Sequence, residues 1–185
     1  MIDAPNMLLI GAAGRDAGKT VFACKLIGRF RQVSQLAAKV TTIQEQGGAC
    51  PRGGAGCGVC SSLEGDYCIT QETTAMGSKD TQRLLNAGAS RVLWLRVLKA
   101  SLAEGAQALL EQLDKAAPII CESNSLRHVV RPGLFVMLQH RDRDVVKASA
   151  REVRDYADAI IYTDGHIFDF DFDRVTFVNN RWVLR

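Results

Sequence analysis

Ile10-Gly11-Ala12-Ala13-Gly14-Arg15-Asp16-Ala17-Gly18-Lys19-Thr20 follows a short apolar run, Met7 to Ile10, and opens a segment with helical spacing. In that segment the apolar residues Val21, Ala23, Leu26, Ile27 and Phe30 recur every three or four positions. Strand, glycine-rich loop and helix in that order, with Gly-Lys-Thr at the junction, form the context of a Walker A phosphate loop. Gly14 and Gly18 let the backbone curl until several N–H groups face one anion, and the helix N-terminus adds its dipole. The expected nucleotide-contacting residues are Ala13, Gly14, Arg15, Asp16, Ala17, Gly18, Lys19, Thr20 and Val21. Lys19 is placed to reach the β- and γ-phosphates of GTP or ATP, and the Thr20 hydroxyl to ligate Mg²⁺. Ala13 stands where the strict pattern has glycine.

Phosphoryl transfer also needs an acid that holds the metal or orients water. The apolar run Pro118-Ile119-Ile120-Cys121 ends in Glu122, at the strand end where an α/β site collects its side chains. Glu122 is therefore the expected Mg²⁺-linked carboxylate and, with Lys19, the expected catalytic pair. Asp16 in the loop and Asp80 at a helix start are weaker candidates, since either residue also suits a helix N-terminus.

Outward from the loop, strands alternate with helices. Strands are expected over Leu36–Val40, Arg91–Val97, Ala117–Cys121, Leu134–Leu138 and Ala159–Tyr162. Helices are expected over Asp80–Ala87, with Ser78 as N-cap and Gly88 as stop, over Leu102–Leu113 and over Val145–Tyr156. Val175–Val178 and Trp182–Leu184 around Asn179-Asn180 read as a hairpin with a tight turn. The pattern predicts a three-layer P-loop NTPase fold: a mainly parallel sheet, helices on both faces and a C-terminal β-hairpin. With no repeats and no linker, residues 1–185 are expected to form one domain.

The bulk numbers agree. The chain is 47% hydrophobic and 23% charged, ordinary for a globular protein. Its 23 basic and 20 acidic residues leave a net charge of +3, too weak to argue for nucleic acid or an anionic membrane. No apolar run approaches the roughly 18 residues that cross a bilayer, and Met1 to Pro5 lacks a signal-peptide pattern. A cytoplasmic protein is expected, with no membrane or nucleic-acid partner.

Residues 44–77 lose all periodicity and are crowded with glycine and cysteine. Cys50, Cys57, Cys60 and Cys68 are spaced C-x6-C-x2-C-x7-C, and the short Cys57–Cys60 bite lets two sulfurs chelate one ion. Thiolates in a reducing compartment select Zn²⁺ or, as the alternative, an Fe–S cluster; surface thiols or a redox pair would read the same way. Cys24 and Cys121, in a helix and a strand, read as core thiols.

Gly77-Ser78-Lys79-Asp80-Thr81-Gln82-Arg83-Leu84-Leu85-Asn86-Ala87-Gly88-Ala89 resembles the GKDS-x-x-L-x-x-AGA helix of the MobB-like family, the molybdopterin-guanine dinucleotide biosynthesis protein B group. The strand ending in Glu122 resembles that family's VEG strand, and Leu134 to Met137 resembles the strand after it. The similarity covers roughly residues 7 to 140. It implies GTP binding and a helper role in molybdenum-cofactor maturation, as a possible homodimer. The family belongs to the same broad group as dethiobiotin synthetase and the metal-chaperone NTPases. Here Glu122 is followed by Ser123 rather than glycine, and the Cys-rich insert replaces a short His-rich turn. The sequence has no Asn-Lys-x-Asp guanine signature, so the choice between GTP and ATP stays open.

Phe168, Phe170 and Phe172 alternate with Asp169, Asp171 and Asp173, which reads as a two-sided strand with phenyls inward. Arg141-Asp142-Arg143-Asp144 reads as a solvated helix start. Three functions then compete. The first is an accessory NTPase of low turnover in molybdenum-cofactor or other metal-cofactor assembly, acting with a cofactor-assembly protein. The second is a dethiobiotin-synthetase-like ATP-dependent small-molecule enzyme. The third is a non-enzymatic, nucleotide-gated interaction module.

Overall fold

The computed structural model describes residues 1–44, 63–142 and 146–185. Its elements run β1 (Ile2–Ala12), α1 (Lys19–Arg29), β2 (Leu36–Ile43), β3 (Tyr67–Gln71), α2 (Asp80–Asn86), β4 (Arg91–Leu98) and α3 (Leu102–Glu111). They continue through β5 (Ile119–Glu122), β6 (Val130–His140), α4 (Ala148–Arg151), β7 (Ala159–Thr163), β8 (Val175–Val178) and β9 (Arg181–Leu184), with short 3-10 turns between. The main sheet has seven strands in the order β3-β4-β2-β5-β1-β6-β7. Its pairs are parallel except β3 with β4, which is antiparallel.

The layers follow from the period of two along each strand. On one face Leu9, Val40, Leu95, Cys121 and Met137 pack against Leu102, Ala106 and Leu109 of α3 and Ala150 of α4. On the other, Leu8, Ala37, Val92, Ile120 and Val136 pack against Phe22, Leu26 and Ile27 of α1 and Leu84 of α2. This second face also receives the β8–β9 hairpin, which buries Trp182 completely. The indole Nε1 donates to the Ile119 carbonyl at 3.1 Å, so a large ring is buried with its one polar atom satisfied. The hairpin turns at Asn179 and Asn180, both at positive φ (49° and 58°), the conformation a two-residue type I′ turn requires.

The central strand β1 tolerates Pro5 because its register with β6 shifts between Ala4 and Leu8. Opposite the shift stands Gly133, where a β-carbon would lie 1.9 Å from the Pro5 carbonyl oxygen. Helix α2 ends as the sequence expects, in a Schellman pattern: Gly88 at φ 113° donates to Leu85 and Ala89 donates to Leu84.

Several expectations need correction. Residues 44–77 are not wholly aperiodic: Tyr67–Gln71 is an edge strand, carried by its β-rich composition and its pairing with β4. The N-cap of α2 is Lys79 rather than Ser78, and Gln82 Oε1 reaches back to its N–H at 3.2 Å. The helix expected over 145–156 is, in its described part, the short α4 and a 3-10 turn at Arg154–Tyr156. Phe168, Phe170 and Phe172 do turn inward, but around Phe22 and not as a strand: Phe168 makes one bridge to Thr163 and Phe172 opens the 3-10 turn Phe172–Arg174. Cys121 is buried as expected, whereas Cys24 is only half-buried and donates to the Arg83 carbonyl at 3.5 Å. Among the described residues no helix is long and apolar enough to cross a membrane.

Candidate functional site

The loop between β1 and α1 lies at the C-terminal edge of the sheet, between the ends of β5 and β6. Gly18 is the N-cap of α1 and adopts φ 73°, ψ 23°, a left-handed conformation with no side-chain cap. A β-carbon there would lie 2.4 Å from the Gly165 carbonyl oxygen, so glycine is required both by the turn and by its neighbour. The carbonyl of Gly18 accepts from Phe22 at 2.8 Å, closing the first helical turn. The N–H groups of Lys19, Thr20 and Val21 belong to that turn and have no intrahelical carbonyl to bond. No acidic side chain occupies the turn, which leaves the positive helix end to an external anion.

Four charged side chains and one hydroxyl meet in front of this turn. Thr20 Oγ1 donates to Glu122 Oε2 at 3.2 Å and also lies within hydrogen-bonding reach of Asp80. Asp80, at the start of α2, forms an ion pair with Lys39 of β2. Lys39 is in turn the register neighbour of Glu122. Glu122 is 3% exposed, and its Oε1 has no hydrogen-bond partner among the described residues. Burial pushes the Glu122 carboxyl above the usual carboxylate range, with Lys39, Lys19 and Thr20 opposing and Asp80 adding to the rise. Burial also lowers the Lys19 ammonium, against the pull of Glu122, Asp80 and Asp16. Asp80 is pushed upward by burial too, but the Lys39 ammonium bonded to it outweighs that and holds the carboxyl below its ordinary value.

This arrangement has two chemical capacities. A half-buried lysine whose charge is penalised gains from an anion placed against it, and the open helix end points to the same place. The donor set of Thr20 hydroxyl, Glu122 and Asp80 carboxylates is all hard oxygen, which fits Mg²⁺. The Glu122 oxygen without a partner is the atom that such a cation would satisfy.

The loop itself is held from three sides. Asn124, two residues past Glu122, accepts from the Ala12 N–H at 2.7 Å and donates to the Ala12 carbonyl at 2.9 Å. Its side chain thus continues the β1–β5 ladder after Ser123 N–H has bonded Ile10 at 3.1 Å. Ala13 donates to Leu138 at 2.8 Å and accepts from Lys147 at 2.8 Å, which ties the loop to β6 and to the start of α4. The third side is the turn 164–167, where Asp164 Oδ1 accepts from His166 and Ile167 at 2.8 Å each and presents Gly165 to Gly18.

Of the residues expected from sequence, Gly18, Lys19, Thr20 and Glu122 are brought together. Ala13 and Ala17 are buried, and Arg15 and Asp16 are exposed at the tip, Asp16 at φ 55°. Asp80, the weaker candidate, belongs to the cluster. Lys39 and Asn124 had not been singled out. The signal for Lys39 was present: it is the one charged residue of the strand sequence LAAKVTTI. Asn124 gave no such signal, because its role lies in backbone bonds. Cys68 stands on β3, its Sγ accepting from Arg96 Nη2 at 3.3 Å, while Cys50, Cys57 and Cys60 lie outside the described residues. Among the described residues no three His, Cys, Asp or Glu side chains form a metal-holding group. Comparison with protein-family models, with curated proteins and with solved structures finds no match.

Proposed function

We propose that this chain binds Mg²⁺ with GTP or ATP at the β1–α1 junction and hydrolyses the nucleotide slowly, as an accessory factor in molybdenum-cofactor or other metal-cofactor assembly. The observation that carries the nucleotide reading is the junction itself: Gly18-Lys19-Thr20 at an uncapped helix start, with Thr20 bonded to a buried Glu122. The cofactor-assembly part rests on the resemblance of residues 77–89 and of the Glu122 strand to the MobB-like family.

In this reading the amides of residues 14 to 21 cradle the β-phosphate, and Lys19 bridges toward the γ-phosphate. Thr20, Glu122 and Asp80 would hold Mg²⁺, which when bound neutralises charge on the phosphate oxygens. Lys39 keeps Asp80 ionised and compensates the second carboxylate beside it. Asn124 fixes where β1 ends and hence where the cradle begins.

The test is calorimetric titration of ATP and GTP into the purified protein, with Mg²⁺ and again with EDTA. Saturable binding of one nucleotide, weakened without the metal, supports the reading. No heat and no turnover with either nucleotide would remove it.

A further inference from the structure

Asp80 has two partners. Its Oδ2 takes the Lys39 ammonium, and its carboxylate also reaches the Thr20 hydroxyl, which bonds Glu122 Oε2 at 3.2 Å. Lys39, Asp80, Thr20 and Glu122 thus form one line of contacts that joins β2, α2, α1 and β5. At its end Glu122 Oε1 is buried and has no partner among the described residues.

Most of this line is fixed. Lys39 and Glu122 are register neighbours on parallel strands in the middle of the sheet. Asp80 opens α2, which Leu84 anchors in the core. The part free to move is the lysine tip, 19% exposed at the end of a flexible four-carbon stem. A cation held jointly by Thr20, Glu122 and Asp80 needs the carboxylate that Lys39 holds. An ammonium and a divalent cation on one half-buried carboxylate repel each other, so one of them has to leave. Lys39 can leave at little cost when a new anion arrives beside it. Lys19 marks where that anion arrives, and the charges of Lys19 and Lys39 already act on each other.

We propose that Lys39 is a stand-in cation, which holds Asp80 while the metal is absent, yields it to Mg²⁺ and turns to the terminal phosphate that comes with the ion. The phosphate half of this exchange rests on the nucleotide reading; the competition between Lys39 and a metal for Asp80 does not. The consequence is coupling. With no phosphate to receive Lys39, the site resists a divalent cation. With one, metal and nucleotide strengthen each other's binding by the same factor.

Removing the stand-in should raise affinity for the metal alone, the reverse of what loss of a supporting residue does. Mn²⁺ is the probe, followed by the electron paramagnetic resonance signal of the free ion. Lys39→Gln should bind Mn²⁺ alone at least about tenfold more tightly than wild type, because two carboxylates lose their competing charge. Lys39→Arg keeps the charge and can grip a carboxylate with two bonds, so it should bind Mn²⁺ no better than wild type. Asp80→Asn added to Lys39→Gln should abolish the gain. If Lys39→Gln is poorly folded, its melting temperature still reads the exchange, and Mn²⁺ should raise it more than it raises that of the wild type. Equal Mn²⁺ affinity or an equal melting shift in wild type and Lys39→Gln would overturn the proposal, as would a gain that survives Asp80→Asn. Wild-type binding of Mg-nucleotide in that case leaves the nucleotide reading intact. A gain in Lys39→Gln from a protein that binds no nucleotide would overturn the phosphate half and keep the competition.

Discussion

Thr20 Oγ1 donates to Glu122 Oε2 across 102 positions of sequence, joining the first turn of α1 to the end of β5. The bond sets the distance between a helix that can hold phosphate and a carboxylate that can serve a metal or a water. Glu122→Gln keeps the size and the contact to Thr20 but removes the charge. It should lower hydrolysis about a hundredfold while changing nucleotide affinity less than about tenfold, the split expected of a group that acts mainly in the transition state. Steady-state rates and calorimetric affinities for the two proteins decide this, and unchanged turnover would return Glu122 to a purely structural part.

Asn124→Ala removes both bonds to Ala12 and leaves the N–H and carbonyl at the end of β1 without their strand-like partner. Loss of stability by about 1–3 kcal/mol is expected from an amide pair of this kind. Nucleotide affinity should fall too, because the start of the cradle is no longer fixed. Chemical denaturation and the nucleotide titration, run on the same preparation, check both. Wild-type values in both would show that the rest of the ladder holds Ala12 without help.

Gly18→Ala meets two obstacles at once, a positive φ and the Gly165 carbonyl. The left-handed conformation alone costs a β-carbon residue about 1–2 kcal/mol, and the clash adds to that. The variant should therefore lose about 2 kcal/mol or more in urea unfolding. A loss below about 0.5 kcal/mol would mean that the 164–167 turn moves aside freely, against its two bonds to Asp164.

Glu72 tests the support of α2, whose first residue supplies Asp80. Its Oε2 accepts from Thr81 Oγ1 at 2.7 Å and its Oε1 from the Thr73 and Thr74 N–H groups at 3.1 Å each. The Thr81 hydrogen bond leads in holding this carboxyl below its usual value. A depressed carboxylate stabilises the fold above its unfolded pKa, and that stabilisation disappears as the pH falls through the folded value. Glu72→Gln should thus cost stability at pH 7, by less than about 1 kcal/mol for so open a group, and nothing at strongly acid pH. Urea melts of both proteins at the two pH values read the difference, and equal costs at both would exclude the carboxylate as its source.

The parts of the fold legible in the sequence were those with strong local signals. The loop from Gly11 to Thr20, the Schellman end at Gly88 and the Asn179-Asn180 hairpin each announce a backbone conformation that few residues tolerate. Strand β3 was hidden because an edge strand of five residues buries little, and Tyr67 to Gln71 sits beside a cysteine- and glycine-rich run. The phenyl alternation at 168–172 correctly marked an inward face but not its backbone, since beyond a single bridge from Phe168 to Thr163 the packing around Phe22 needs no continued ladder. Within the site, Glu122 was legible because an acid ends an apolar strand. Lys39 carried a local signal, as the one charged residue of its strand, but its partner Glu122 comes from pairing between strands far apart in sequence; Asn124 carried none, because its role lies in backbone bonds.

The central claim is that the β1–α1 junction holds a nucleoside triphosphate through Lys19. Calorimetric titration of Mg-ATP and Mg-GTP into wild-type protein and Lys19→Ala tests it most directly, with circular dichroism to establish that the variant is folded. The account predicts saturable binding of at least one nucleotide by the wild type, and at least about a hundredfold weaker binding by the variant, since a buried charged contact to phosphate is lost. Equal affinity in a folded Lys19→Ala protein would contradict it.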